Sequence, residues 1–156
     1  MIEIDAIDRA LLRALVEDAG QSAGALARVL GMSQPVIWRR IKRLRDTGVI
    51  KGTRLRLDKA ALGFGVTVFL GIKLATKGRV SLDDFERAVT GIPEVQNVEH
   101  VLGLYDYRLR VVARDISDFE RILRRRIMTL PGVGDVEVNV LLLEERRPGP
   151  LDGLAI

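Results

Sequence analysis

The chain has 156 residues, 47% of them hydrophobic and 29% charged, which fits one globular domain or two small ones and excludes a disordered or fibrous protein. It has no cysteine and one histidine, His100, which excludes a disulfide framework, a thiolate or multi-histidine metal site and a serine–histidine pair. No apolar run reaches the roughly 18 residues of a membrane span, and Met1-Ile2-Glu3 does not open a signal peptide, so the expectation is a cytoplasmic protein with no membrane partner, metal or cofactor.

Charge is unevenly placed. Up to Gly63, 12 Lys/Arg stand against 7 Asp/Glu, a net of +5; from Phe64 onward 13 stand against 14, a net of −1. The basic part is therefore expected to meet a polyanion.

In chain order, "IDAIDRALLRALVEDAG" places Ile4, Ile7, Leu11 and Leu15 near a 3.6-residue period, which predicts an amphipathic helix ending before Gly20. "QSAGALARVLG" predicts a second, with Ser22 as N-cap, Leu26 and Leu30 on one face and Gly31 as stop. Ser33 then caps a third, Pro35 suits its first turn, and Ile37, Ile41 and Leu44 recur at i, i+4, i+7 before Gly48. Three short helices, the last two joined by a glycine-containing turn, predict a helix-turn-helix.

The third helix packs five cations into the seven positions from Arg39 to Arg45, beside the only tryptophan. With Ile37, Ile41 and Leu44 facing the core, Gln34, Trp38, Arg39, Lys42, Arg43 and Arg45 spread over the outer surface. A helix in the major groove needs polar residues at its N-terminal end to read base edges and cations to meet flanking phosphates. Ser33, Gln34 and Pro35 fall at the first place. Arg39, Arg40, Lys42, Arg43 and Arg45 fall at the second. Trp38 suits either DNA contact or packing on the first helix or the following strand. Short alternating segments, Val49-Ile50 and Arg54 to Leu57, predict a wing or hinge ribbon around Gly52, with Arg54 and Arg56 on one side.

Past Gly65 the period becomes two. "VTVFLGIKLA" reads as a strand, and two later segments repeat each other: "DDFERAVTGIPEVQNVE" from 83 and "SDFERILRRRIMTLPGVGDVE" from 117. Phe85 lies 8 residues before Pro93 and Phe119 lies 12 before Pro131, a difference of about one helical turn. Each copy reads as strand, helix, strand: 66–75, 81–90 and 95–102, then 107–113, 116–130 and 136–143. The order is βαββαβ, the ferredoxin-like arrangement with both helices on one sheet face. Val101, Val112, Leu141 and Leu143 fall on the other face, which predicts self-association through the sheet; a two-fold dimer also suits paired reading heads.

The fold class is thus α+β: an N-terminal winged helix-turn-helix (1–50), a ribbon or hinge (51–64), a ferredoxin-like effector and oligomerisation domain (65–145) and a tail (146–156). "IDAIDRALLRAL", "LARVLGMS", "RRIKRLRDTGVIKG", "GLYDY" and "LPGVGDVEV" together resemble the Lrp/AsnC family of feast/famine transcription regulators over nearly the whole chain. The resemblance implies a sequence-specific DNA-binding regulator of double-stranded DNA. It implies a homo-oligomer, a dimer assembled further into a tetramer or octamer. It also implies an amino-acid-like effector at a dimer–dimer contact near the turn between the second and third strands. Carried onto this chain, that site is Gly103, Leu104, Tyr105, Asp106 and Tyr107, with Val136 and Val138 on the last strand. Leu104 stands where the family commonly has an acid, and Val136 and Val138 where it commonly has threonines. A zwitterion needs partners for both charges, so the alternatives here are a more apolar effector or none.

Two other functions stay open at this point: an architectural DNA-binding oligomer with little sequence preference, and an enzyme subunit resembling siroheme decarboxylase. The second needs a histidine- and arginine-rich segment that is not in the chain. "GLYDY" also reads as a plain tight turn, and His100 as a strand residue paired across the sheet.

Overall fold

The computed structural model describes residues 3–75 and 78–145; for Arg79, Val80 and Ser81 it describes the backbone only. The predicted tail, with Pro148, Pro150 and Leu151 to Ile156, lies outside the described residues. The chain divides into two compact units, one built on residues up to Arg56 and one spanning Leu57–Glu144.

The first unit is three helices: α1 (Ala6–Glu17), α2 (Ala23–Leu30) and α3 (Gln34–Asp46). Asp5 caps α1 by accepting from Asp8 N–H at 2.7 Å while Asp8 accepts from Asp5 N–H at 3.2 Å, a capping box built from two aspartates. Ser22 caps α2, its hydroxyl accepting from Ala25 N–H at 3.1 Å. Gly31 ends α2 in the left-handed conformation that a side chain resists, at φ 64°. Leu11, Leu12, Leu26, Ala27, Ile37 and Leu44 form the core. Ile7, placed in the core by periodicity, is exposed, and Asp8 beside it is fully buried.

The predicted ribbon is not formed: residues 51–58 belong to no strand, and Leu55 and Leu57 are exposed. A strand is stable only with a ladder partner, and no described segment of the chain pairs with Arg54 to Leu57.

The second unit contains β1 (Val66–Leu74), α4 (Arg79–Thr90), β2 (Val95–His100), β3 (Tyr107–Ala113), α5 (Ile116–Ile122), a π-helical segment (Leu123–Ile127) and β4 (Val133–Val140). The sheet order is β2-β3-β1-β4 and all pairs are antiparallel, the ferredoxin-like arrangement. Val68, Leu70 and Ile72 of β1 and Tyr107, Leu109 and Val111 of β3 share one sheet face and bury it under Phe85, Val89, Phe119, Ile122 and Ile127. The predicted helix 116–130 is an α-helix only as far as Ile122. In the π segment Met128 N–H bonds Leu123 O, five residues back, at 2.9 Å. That wider turn lets Ile122 and Ile127 both reach the core.

The opposite face is open. Register places on it Phe69, Gly71 and Lys73 of β1, Arg108, Arg110 and Val112 of β3, Asn97 and Glu99 of β2, and Asp135, Glu137 and Asn139 of β4. Val112 and Leu141 do lie on this side, but charge dominates it. Leu143 lies beyond the end of β4.

Candidate nucleic-acid interface and effector loop

Ser33, Gln34, Pro35, Trp38, Arg39, Lys42 and Arg45 are all exposed along α3, with Trp38 58% accessible. Ile37 and Leu44 anchor the opposite side of the helix with no exposed surface. The tryptophan therefore belongs to the outer face and not to the core of its unit. Gln34 folds back beside α2, where a Cβ on Gly24 would sit 3.7 Å from its Oε1. Lys42 Nζ is 2.7 Å from Asp46 Oδ2, one helical turn on. Such an exposed pair contributes little and exchanges readily for another anion.

Arg40 and Arg43 are different from the other three cations. Arg40 Nη1 donates to Asp5 Oδ2 at 2.7 Å and to Asp8 Oδ1 at 2.8 Å, and its side chain is only 23% exposed. Arg43 Nη2 donates to Asp8 Oδ2, and its Nη1 reaches Glu3 O at 3.5 Å. The Asp8 backbone N–H and then Arg40 hold the Asp5 carboxyl below the usual carboxylate range. The hydrogen bonds that Arg40 donates to Asp5 and then Asp8 hold its guanidinium above its ordinary value. The sequence placed all five cations on the duplex side; the structure turns these two toward α1. The missed partner is Asp8, whose acid character reads as surface until Arg40 and Arg43 are seen beside it.

The effector set predicted from sequence is divided between the two sheet faces. Gly103 and the 76%-exposed Leu104 lie in the loop between β2 and β3. The Tyr105 ring lies on the open face against Gly71, where a Cβ would fall 2.6 Å from its Cδ2, and its hydroxyl donates to Glu137. Asp106 ties the loop to the end of β1: its Oδ2 accepts from Leu74 N–H at 2.9 Å, Lys73 Nζ lies 3.5 Å from its Oδ1, and its N–H donates to Ile72 O at 2.9 Å. Much of that carboxylate is thus already committed to the backbone.

Tyr107 is a core residue. It is 1% exposed, its hydroxyl donates to Glu86 Oε1 at 2.7 Å, and burial followed by that glutamate pushes its phenol well above the usual tyrosine range. His100 stacks on it with ring centroids 4.7 Å apart. Val136 and Val138 pair with Ile72 and Leu70, both helix-facing, so they lie on the face opposite Tyr105 and form no wall beside it. The residues gathered around Tyr105 are instead Gly71 and Glu137, with Lys73 and Asp106 at the same end of β1.

Comparison with known proteins decides the lineage. Residues 67–150 match the family model described as the Lrp/AsnC ligand binding domain, and residues 4–51 match the one described as winged helix-turn-helix DNA-binding. The chain belongs to the Lrp/AsnC family. It is 35% identical over 133 residues to the DNA-binding transcriptional activator DecR of Escherichia coli K12, covering 85% of this chain and 88% of that one. It is 33% identical over 147 residues to the proline dehydrogenase transcriptional activator of Rhizobium radiobacter, covering 94% of each. Among solved structures, the feast or famine regulatory protein from M. tuberculosis complexed with L-methionine matches with a TM-score of 0.82 and 28% identity, covering 93% of this chain and 96% of that one. No helix among the described residues is long and apolar enough to cross a membrane.

Proposed function

We propose that the chain is a transcriptional regulator that reads DNA with α3, acts as a homo-oligomer in the cytoplasm and responds to an apolar amino acid. The observation that carries DNA reading is the outer face of α3: Pro35, Trp38, Arg39, Lys42 and Arg45 stand clear of a core that Ile37 and Leu44 fix. Ser33, Gln34 and Pro35 are at the end that meets base edges, and the cations follow where phosphates flank the groove. The reading is regulation and not catalysis: the lone histidine is stacked on a buried tyrosine, and the relatives from Escherichia coli and Rhizobium radiobacter are both transcriptional activators by name.

The effector reading draws on the methionine held by the M. tuberculosis relative. Its place here is the loop Gly103 to Asp106. Leu104 exposes an apolar side chain where an acid is common, so an aliphatic ligand side chain suits it better than a charged one. Assembly through the open sheet face is supported by Arg110. Its guanidinium lies 5.5 Å from the centre of the Phe69 ring, which is 38% exposed on that face.

Footprinting over genomic DNA tests the DNA reading. Discrete protected sites are expected, whereas uniform coating would replace the regulator with an architectural DNA-binding protein. Calorimetry against a panel of amino acids tests the effector. Methionine or leucine should bind and glutamate should not, and the reverse order would remove the role given to Leu104.

A further inference from the structure

The two acids at the start of α1 do more than cap it. Capping uses Asp5 Oδ1, which holds Asp8 N–H, and Asp8 Oδ2, which holds Asp5 N–H; Asp5 Oδ2 and both oxygens of Asp8 also receive guanidinium donors from α3. Two carboxylates are therefore balanced against two guanidiniums, Arg40 and Arg43, across a helix–helix contact. Carboxylate and phosphate oxygens satisfy arginine in the same way. Arg39 and Arg45, by contrast, form no ion pair among the described residues, and Lys42 is held only by exposed Asp46.

We infer that Asp5 and Asp8 are specificity-determining residues: they take the place of DNA phosphate on Arg40 and Arg43 and so hold down the chain's affinity for DNA of arbitrary sequence. This rests on the DNA-reading function proposed above and extends it. Binding that ignores sequence comes from phosphate neutralisation, and each cation available to the backbone adds to every site alike. A head that offers Arg39, Lys42 and Arg45 but withholds Arg40 and Arg43 leaves a larger share of its affinity to base contacts. Asp8 makes the arrangement durable, because a carboxylate with no exposed surface cannot give up both arginines without remaining buried and uncompensated.

The test is a salt titration of the full-length protein on a short random-sequence duplex. Asp5→Asn keeps an equally good N-cap and leaves one carboxylate for two arginines. The log–log salt slope should then steepen by about 0.9 per reading head, the value for one added phosphate. Affinity for the random duplex at low salt should rise several-fold. Adding Asp8→Asn should steepen the slope by about the same amount again. Asp5→Glu, which keeps the charge, should restore the parent slope. Arg40→Gln alone should leave the slope unreduced. A purely structural role for these acids would move melting temperature and affinity without changing the slope. An unchanged slope in Asp5→Asn, or a reduced slope in Arg40→Gln, overturns the inference while leaving the DNA-reading function intact. Failure of the parent to bind DNA at low salt would instead bring down that function itself.

Discussion

A carboxylate with no exposed surface, such as Asp8, is tolerable only while its guanidinium partners remain. Replacing Arg40 and Arg43 together with methionine keeps much of the side-chain length and removes both positive charges. Urea unfolding should then show a loss of about 3–5 kcal/mol, the cost of an uncompensated buried charge. A loss under about 1 kcal/mol, the range of a surface pair, would mean that Asp8 is hydrated and the contact incidental. Nothing local in the sequence announces this residue. In "IDAIDRAL" the apolar period assigns Ile7 to the core and Asp8 to water, and the structure reverses them. The reversal depends on arginines 32 and 35 residues away, a separation at which periodicity carries no information. The same limit divided the effector set. Strand alternation puts Val136 and Val138 on one face, but Tyr105 sits in a loop, where its direction is set by the space that Gly71 leaves.

At the scale of the element, caps and apolar spacing were legible, and hydrogen-bond pattern was not. Ser22, Gly31 and the βαββαβ order are all where sequence placed them. The second repeat's extra turn was visible as four added residues, but not its π-helical form. The core positions Phe119, Ile122, Ile127 and Leu130 recur at i, i+3, i+8 and i+11, within one helical stripe, so their spacing gives no sign of that segment. Asp115 caps α5, and Asp118 in its first turn accepts from Arg121, from Arg114 N–H at 3.1 Å and from Arg114 Nε at 3.3 Å. Arg121, followed by those Arg114 contacts, holds its carboxyl well below the usual range. A depressed folded-state value means that the contribution to stability is complete above the unfolded value, near 3.9. It is lost as pH falls through the lower folded one. Asp118→Asn lacks that contribution at every pH. Its melting temperature should therefore sit below the parent's at neutral pH, and the gap should narrow as both are acidified below about pH 4. A gap that stayed constant would show that Asp118 acts by shape and not by charge.

For the whole molecule, the open sheet face is where the proposed oligomer would close. Cations of the central strands, Lys73, Arg108 and Arg110, are flanked by acids of both edge strands, Glu99 on β2 and Asp135 and Glu137 on β4. A second copy applied by a two-fold axis and displaced by about one strand would set the edge-strand acids of each copy against the central-strand cations of the other, the self-complementarity that an isologous contact needs. Phe69 supplies apolar surface on the same face at 38% exposure, beside the Arg110 guanidinium. Substituting Phe69→Asp keeps the core of the unit, since Val68 and Leu70 face the other way, but puts a charge where the two faces would close. Sedimentation should then report a monomer with unchanged circular dichroism. Linking two heads makes the second binding event intramolecular, so separating them should weaken binding to paired half-sites by roughly 10²- to 10⁴-fold. A duplex carrying one half-site should bind parent and variant alike. If Phe69→Asp stays dimeric, the interface must be sought elsewhere, and Leu55 and Leu57, exposed where the predicted ribbon is not formed, are the next residues to substitute.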